Sequence, residues 1–151
     1  MRNVLLALFA LLCACTNYDV CFTANRCPNE IPATIRDDPR ALHDLIVDAR
    51  MRRFPPQCTS CEVGTGCETC ERLMVDGMRR LAAIPSEDAA IQAAALVLDK
   101  KLAWDGGPAL LLAHAVAGMG ERVVPYLEPY AKESGLAETI LQCIAQKHPC
   151  V

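Results

Sequence analysis

The chain lacks any apolar run long enough to cross a bilayer. Its best candidates, residues 4–12 and 109–119, are nine and eleven residues long, against about twenty for a spanning helix. Basic excess is missing too: 15 Lys+Arg stand against 18 Asp+Glu, a net charge of −3. That balance excludes the basic face of a general nucleic-acid binder. The one basic cluster, Arg50, Arg52 and Arg53, reads as a solvated helix end, where cations are favourable and Asp48 sits four residues before Arg52. Histidine is scarce, and His43, His114 and His148 form no constellation; His114, inside an apolar segment, reads as a packed, hydrogen-bonded side chain. Ser60, Ser86 and Ser134 stand in no Gly-x-Ser-x-Gly nucleophile elbow. Gly64-x-Gly66 and Gly118-x-Gly120 are too incomplete to cradle a phosphate. No segment alternates apolar and polar residues as a half-buried strand does. These absences leave no catalytic set and point to an all-α, non-enzymatic chain without a cofactor.

What is present begins at the N-terminus. Met1-Arg2-Asn3 carries one positive charge and is followed by the unbroken apolar stretch 4–12, the pattern of an export signal. Leu12-Cys13-Ala14-Cys15 resembles the bacterial lipobox, in which the last cysteine is lipidated and becomes the mature N-terminus. Bulky Leu12 disfavours Cys13 as the acceptor. A plain secretory signal cleaved after Thr16 is the alternative. The resemblance implies a signal peptide over 1–14, lipid on Cys15 and a cell-envelope location. Thr16, rather than Asp, after Cys15 implies the outer membrane. Stable anchoring takes two or more acyl chains, which such a modification supplies.

Cysteine is abundant, with ten in all. Removing Cys13 with the signal and Cys15 to lipid leaves Cys21, Cys27, Cys58, Cys61, Cys67, Cys70, Cys143 and Cys150. An even set in an exported domain reads as a disulfide framework. Eight cysteines allow on the order of a hundred pairings. Proximity groups 21 with 27, 143 with 150, and the central four together; linking the first group to the last is also sensible, since it would tie the N-terminal segment to the final helix. Cys58-x-x-Cys61 and Cys67-x-x-Cys70 admit a second reading, because four thiolates satisfy tetrahedral Zn²⁺. A thiol-redox role is a third, since Cys67 stands at a helix start that would lower its pKa. The spacer between the pairs is short for a zinc ribbon, no βαβ unit surrounds them, and glutamate rather than histidine follows each pair, which disfavours c-type haem.

Residues 15–37, with Asn, Thr and Pro interleaved, read as a tether, and 38–151 as the folded domain. Asp38-Pro39 is an N-cap followed by proline at the first helical position. Leu42, Leu45, Ile46 and Ala49 then share one face, and Pro55-Pro56 ends that helix. A second helix from Glu68 carries Leu73, Met74, Gly77, Met78 and Leu81 as its stripe, with Glu68–Arg72 and Asp76–Arg80 as pairs on the wet side. Pro85-Ser86 starts an alanine- and leucine-rich segment running to Trp104, and Asp105-Gly106-Gly107-Pro108 stops and restarts the chain. Residues 109–119, apolar all round except His114, predict the central helix of the core. Helices at about 121–133 and 136–147 complete a bundle or short repeat stack of five or six, stapled by disulfides. Ala115 to Gly120, then Val123-Val124-Pro125-Tyr126-Leu127, resembles the junction inside HEAT-type repeats. The resemblance spans about 86–147, two units where three are normally needed for stability. It implies stacked antiparallel helix pairs that bind a protein partner along an extended surface.

Overall fold

The computed structural model describes residues 30–51, 67–147 and 150, the side chains of 67–69 excepted. The signal at 1–14, Cys15, Cys21, Cys27, Cys58, Cys61, Arg52, Arg53, Pro55-Pro56, Ser60, Gly64, Gly66 and His148 lie outside those residues, as does any Glu68–Arg72 pair. The described residues are all-helical. Six α-helices run in order: α1 Pro39–Met51, α2 Cys67–Ala83, α3 Glu87–Leu98, α4 Gly106–Ala117, α5 Val124–Leu127 and α6 Gly135–Gln146. Short 3₁₀ turns at Ala33–Ile35, Lys100–Leu102, Gly120–Arg122 and Glu128–Tyr130 connect or extend them.

Helix starts follow the local chemistry. The Asp38 carboxylate accepts from the amides of Arg40 (3.0 Å) and Ala41 (3.1 Å), capping α1. Ser86 Oγ accepts from Ala89 N at the head of α3, and Ser134 Oγ from Ala137 N at the head of α6. The segment expected as one helix over 121–133 is divided. Pro125 and Pro129 each lack an amide hydrogen, and the chain answers with one α turn followed by a 3₁₀ turn. Residues 30–37, read as part of the tether, lie against the domain: Ile31 and Ile35 pack on the core.

Ion pairs at the helix ends fix the topology. Arg40 near the start of α1 lies 4.0 Å from Asp88 at the start of α3. Arg50 at the other end of α1 bonds the chain just beyond α3. The two helices therefore run side by side and parallel. Arg80, near the end of α2, donates to the Arg36 carbonyl (2.9 Å) and to Asp37 ahead of α1, which sets α2 antiparallel to α1. The expected Asp76–Arg80 pair does not form; Arg80 has a carbonyl and a carboxylate in reach, and Asp76 lies 3.9 Å from Arg79 instead. Arg122, beyond α4, donates to the Ala82 and Ile84 carbonyls at the end of α2, so α2 and α4 run parallel. Leu136 of α6 meets the end of α3, and α6 packs on α4. The result is two antiparallel pairs, α1/α2 and α3/α4, with the single turn α5 packed on α3 and α6, and α6 packed on α3 and α4.

Every residue of the two predicted stripes is buried: Leu42, Leu45, Ile46 and Ala49 on α1, and Leu73, Met74, Gly77, Met78 and Leu81 on α2. The central helix is not the one expected. α3 packs against all five other helices, through a face of Ala89, Ala90, Ala93, Ala94, Leu96 and Val97. α4 buries Leu112, Ala113 and Val116 but leaves Leu110 41% exposed and His114 in solvent. Apolarity identified α4, whereas side-chain size decides which helix can be surrounded: alanine lets neighbours approach from several sides.

Among the described glycines the closest approach is between α1 and α2, where a Cβ on Gly77 would lie 2.8 Å from Ile46 Cγ1. Ile46 is fully buried and stiff at χ1, so it cannot swing away. Gly77→Ala therefore sets overpacking of about 1–3 kcal/mol against a helix-propensity gain of about 1 kcal/mol. Chemical denaturation should show a net loss of about 1 kcal/mol. Gly135→Ala, with open space around its added methyl, should be neutral or slightly stabilising.

Candidate functional site: the Trp104 groove

The end of α3 is followed by a tight reversal that builds an open groove. Asp99 caps the 3₁₀ turn through Lys101 N (2.9 Å) and Leu102 turns into the core. Ala103 then adopts a left-handed backbone with φ 43°. That conformation costs an L-residue about 1–2 kcal/mol, and here a specific contact holds it. Arg50 Nη2 donates to the Ala103 carbonyl (2.6 Å) and to Asp105 Oδ1 (3.0 Å), while its Nε donates to the Leu102 carbonyl (3.0 Å). The guanidinium also lies over the Trp104 ring, 5.3 Å from its centroid, a cation–π geometry. Trp104 Nε1 donates to the Leu96 carbonyl at 2.6 Å, which fixes the indole plane.

The groove beside this indole encloses about 360 Å³, the lower part of the small-ligand range. Val97, Leu98 and Leu136 form an apolar wall, and Tyr130, 47% exposed, stands at the edge with Trp104. Lys100 and Glu133 rim it. Ser134 and Asp99 also line it, but both are engaged as helix caps. The arrangement suits apolar and aromatic contact. Nothing within it forms a nucleophile–base pair.

The described cysteines lie elsewhere. Cys143 and Cys150 form a disulfide, Cα–Cα 5.4 Å, which returns the chain after α6 to the core with Cys150 1% exposed. Cys70, on the buried face of α2, is disulfide-bonded as well. Cys67 is the first residue of α2. Among the described residues, no group of three or more His, Cys, Asp or Glu is placed to hold a metal ion. No described helix is long and apolar enough to cross a membrane. His43 Nδ1 lies 3.1 Å from Asp44 Oδ1. His114, expected to be packed and hydrogen-bonded, is exposed, because it falls on the solvent side of α4. Ser86 caps α3, Gly118 ends α4, and Gly120 (φ 62°) turns the chain. Arg50, read as a solvated helix end, is instead half-buried in the clamp described above. Trp104 and Tyr130 were not singled out from sequence. The available signal was that Trp104 is the only tryptophan and abuts the Asp-Gly-Gly-Pro stop.

A second aromatic contact braces the far end of α3. Tyr126 OH donates to Glu87 Oε1 at 2.5 Å. The hydrogen bond to this carboxylate, then partial desolvation, then the Glu87 charge, hold the Tyr126 pKa above the ordinary 10.0.

The chain matches no known family model, no curated protein and no solved structure.

Two outcomes follow from these contacts. Arg50→Ala should destabilise by about 2 kcal/mol and change Trp104 emission, while Arg50→Lys, without the planar fork, should recover only part. Tyr126 binds its proton more tightly when folded, so its contribution is complete below pH 10 and is lost as pH rises through the raised folded-state pKa. NMR titration should place Tyr126 above 10.0, and Glu87→Gln should bring it down.

Proposed function

We propose that this is a lipid-anchored cell-envelope protein whose disulfide-stapled helical stack is a protein-interaction module. The observation that carries the reading is the state of the cysteines: Cys70, Cys143 and Cys150, all those with described side chains, are disulfide-bonded. Disulfides persist in exported proteins and are rare in reducing compartments. That agrees with the export signal and with the lipobox resemblance at Cys15. The anchor would hold the domain at the outer membrane. Bonding at Cys70 also removes one of the four thiolates a zinc site on Cys58, Cys61, Cys67 and Cys70 would need. The HEAT-type resemblance over 86–147 is supported by the antiparallel α3/α4 pair, with α1 and α2 packed against α3 where they would cap the two units. A partner would then lie along the row of α2, α4 and α6 or along that of α1, α3 and α5.

The test is expression of the full chain in a bacterial host with labelled palmitate. The wild type should take up label and yield a mature chain starting at Cys15 with added acyl mass. Cys15→Ser should take up none. An unmodified N-terminus after residue 15 would refute the anchor. Thiol titration of the purified protein should find no free cysteine, and stoichiometric zinc would overturn the staples.

A further inference from the structure

Large exposed apolar side chains are few among the described residues, and three of the four gather at one end of the stack. Met51 (39% exposed) ends α1 directly after the Arg50 clamp. Leu110 (41%) lies in the opening turns of α4, just beyond Asp105. Tyr130 (47%) shares the groove with Trp104. The fourth, Ile91, sits in the first half of α3, toward the other end. The same end carries exposed Lys100, Lys101 and Lys132. Of its described acids, Asp99 caps its own turn and Asp105 pairs with Arg50, which leaves Glu128, Glu133 and Glu138 facing solvent.

We infer that this end rests on the lipid surface to which Cys15 is anchored, with Trp104, Tyr130, Met51 and Leu110 at the level of the headgroups. This rests on the lipid-anchor reading above. Aromatic rings with lysine beside them are the side chains that partition to a membrane interface. Lysine ammonium groups reach lipid phosphates while the apolar atoms leave water. Among the described residues, the balance of three lysines against three exposed glutamates makes zwitterionic lipid sufficient.

The position of the N-terminus permits the orientation. Glu30 and Ile31 lie at the end opposite Trp104, since Arg36 bonds Ile31 and Arg80 ties this segment to the start of α1. The thirteen residues of α1 separate the two ends by about 20 Å. Fifteen residues of chain join Cys15 to Glu30 and can reach at most about 50 Å. An anchored Cys15 can therefore lie in the same leaflet that the Trp104 end touches. Docking is then intramolecular, and a weak contact suffices.

The sole tryptophan supplies the readout. The full lipidated protein is reconstituted into phosphatidylcholine–phosphatidylethanolamine vesicles, with and without lipids brominated along the acyl chain. It should float with the vesicles and lose most of its Trp104 emission to the brominated lipid. Added anionic lipid should change this little. Leu110→Asp combined with Tyr130→Asp, both at exposed positions, should still float and melt as the wild type does, yet keep its emission. Protein that floats with emission unaffected by bromine overturns the docking and leaves the anchor standing, as expected if this end faces a protein instead. Protein that does not float overturns the anchor, and the docking with it.

Discussion

The alanines of α3 set how closely the other helices can gather. A helix in contact with five others must present small side chains on several sides, and Ala89, Ala90, Ala93 and Ala94 do so without polar atoms. Larger residues then fill the remaining space from outside. Leu42 and Ile46 come from α1, Leu73 and Leu81 from α2, Leu112 and Val116 from α4, and Leu127 and Ile140 from α5 and α6. Gly77 repeats the device between α1 and α2, where Ile46 occupies the volume a methyl would need. The interior carries no buried polar or charged residue among those described, so close packing alone specifies it.

Specificity of connection comes from the ends of the helices. The last carbonyls of a helix lack intrahelical donors, and arginine supplies them here three times. Arg50 bonds the Leu102 and Ala103 carbonyls, Arg80 that of Arg36, and Arg122 those of Ala82 and Ile84. Each joins segments some forty or fifty residues apart. A guanidinium can do this from a half-exposed position, since its aliphatic stem packs while its fork reaches inward. These clamps make the order of the helix pairs definite, where an alanine-rich interface by itself would tolerate sliding. Cys143–Cys150, with a sequence separation of 7, acts only locally, closing the chain end back onto the last helix.

This division explains what was legible in the sequence. Caps and stripes are local: Asp38, Ser86 and Ser134 each bond an amide three residues on, and residues at helical spacing share a face whatever lies opposite. All were readable. The choice of α3 as the hub was not, because periodicity and apolarity carry no information about how many neighbours a helix has. Arg80 and Arg50 were misassigned for a related reason. An i,i+4 partner is visible in sequence, whereas a free carbonyl forty residues away is visible only once the helices are stacked. The groove is assembled from the end of α3 and the segment before α6, so no contiguous motif announced it.

The clamp and the groove are one construction. Arg50 holds Ala103 in a left-handed turn and lies over Trp104, so the residue that closes the α3–α4 connection also sets the indole at the groove's edge. A rim of one tryptophan and one tyrosine is small for a free protein, since a contact worth about 4 kcal/mol corresponds to a dissociation constant near 1 mM. With the proposed anchor at Cys15 that scale would be sufficient, because a short tether holds local concentration in the millimolar range. Rigidity then matters more than area: an indole fixed by Arg50 and by the Leu96 carbonyl loses no rotamer freedom on contact. The clamp that specifies the fold at this end thereby also lowers the entropic cost of using the surface it creates.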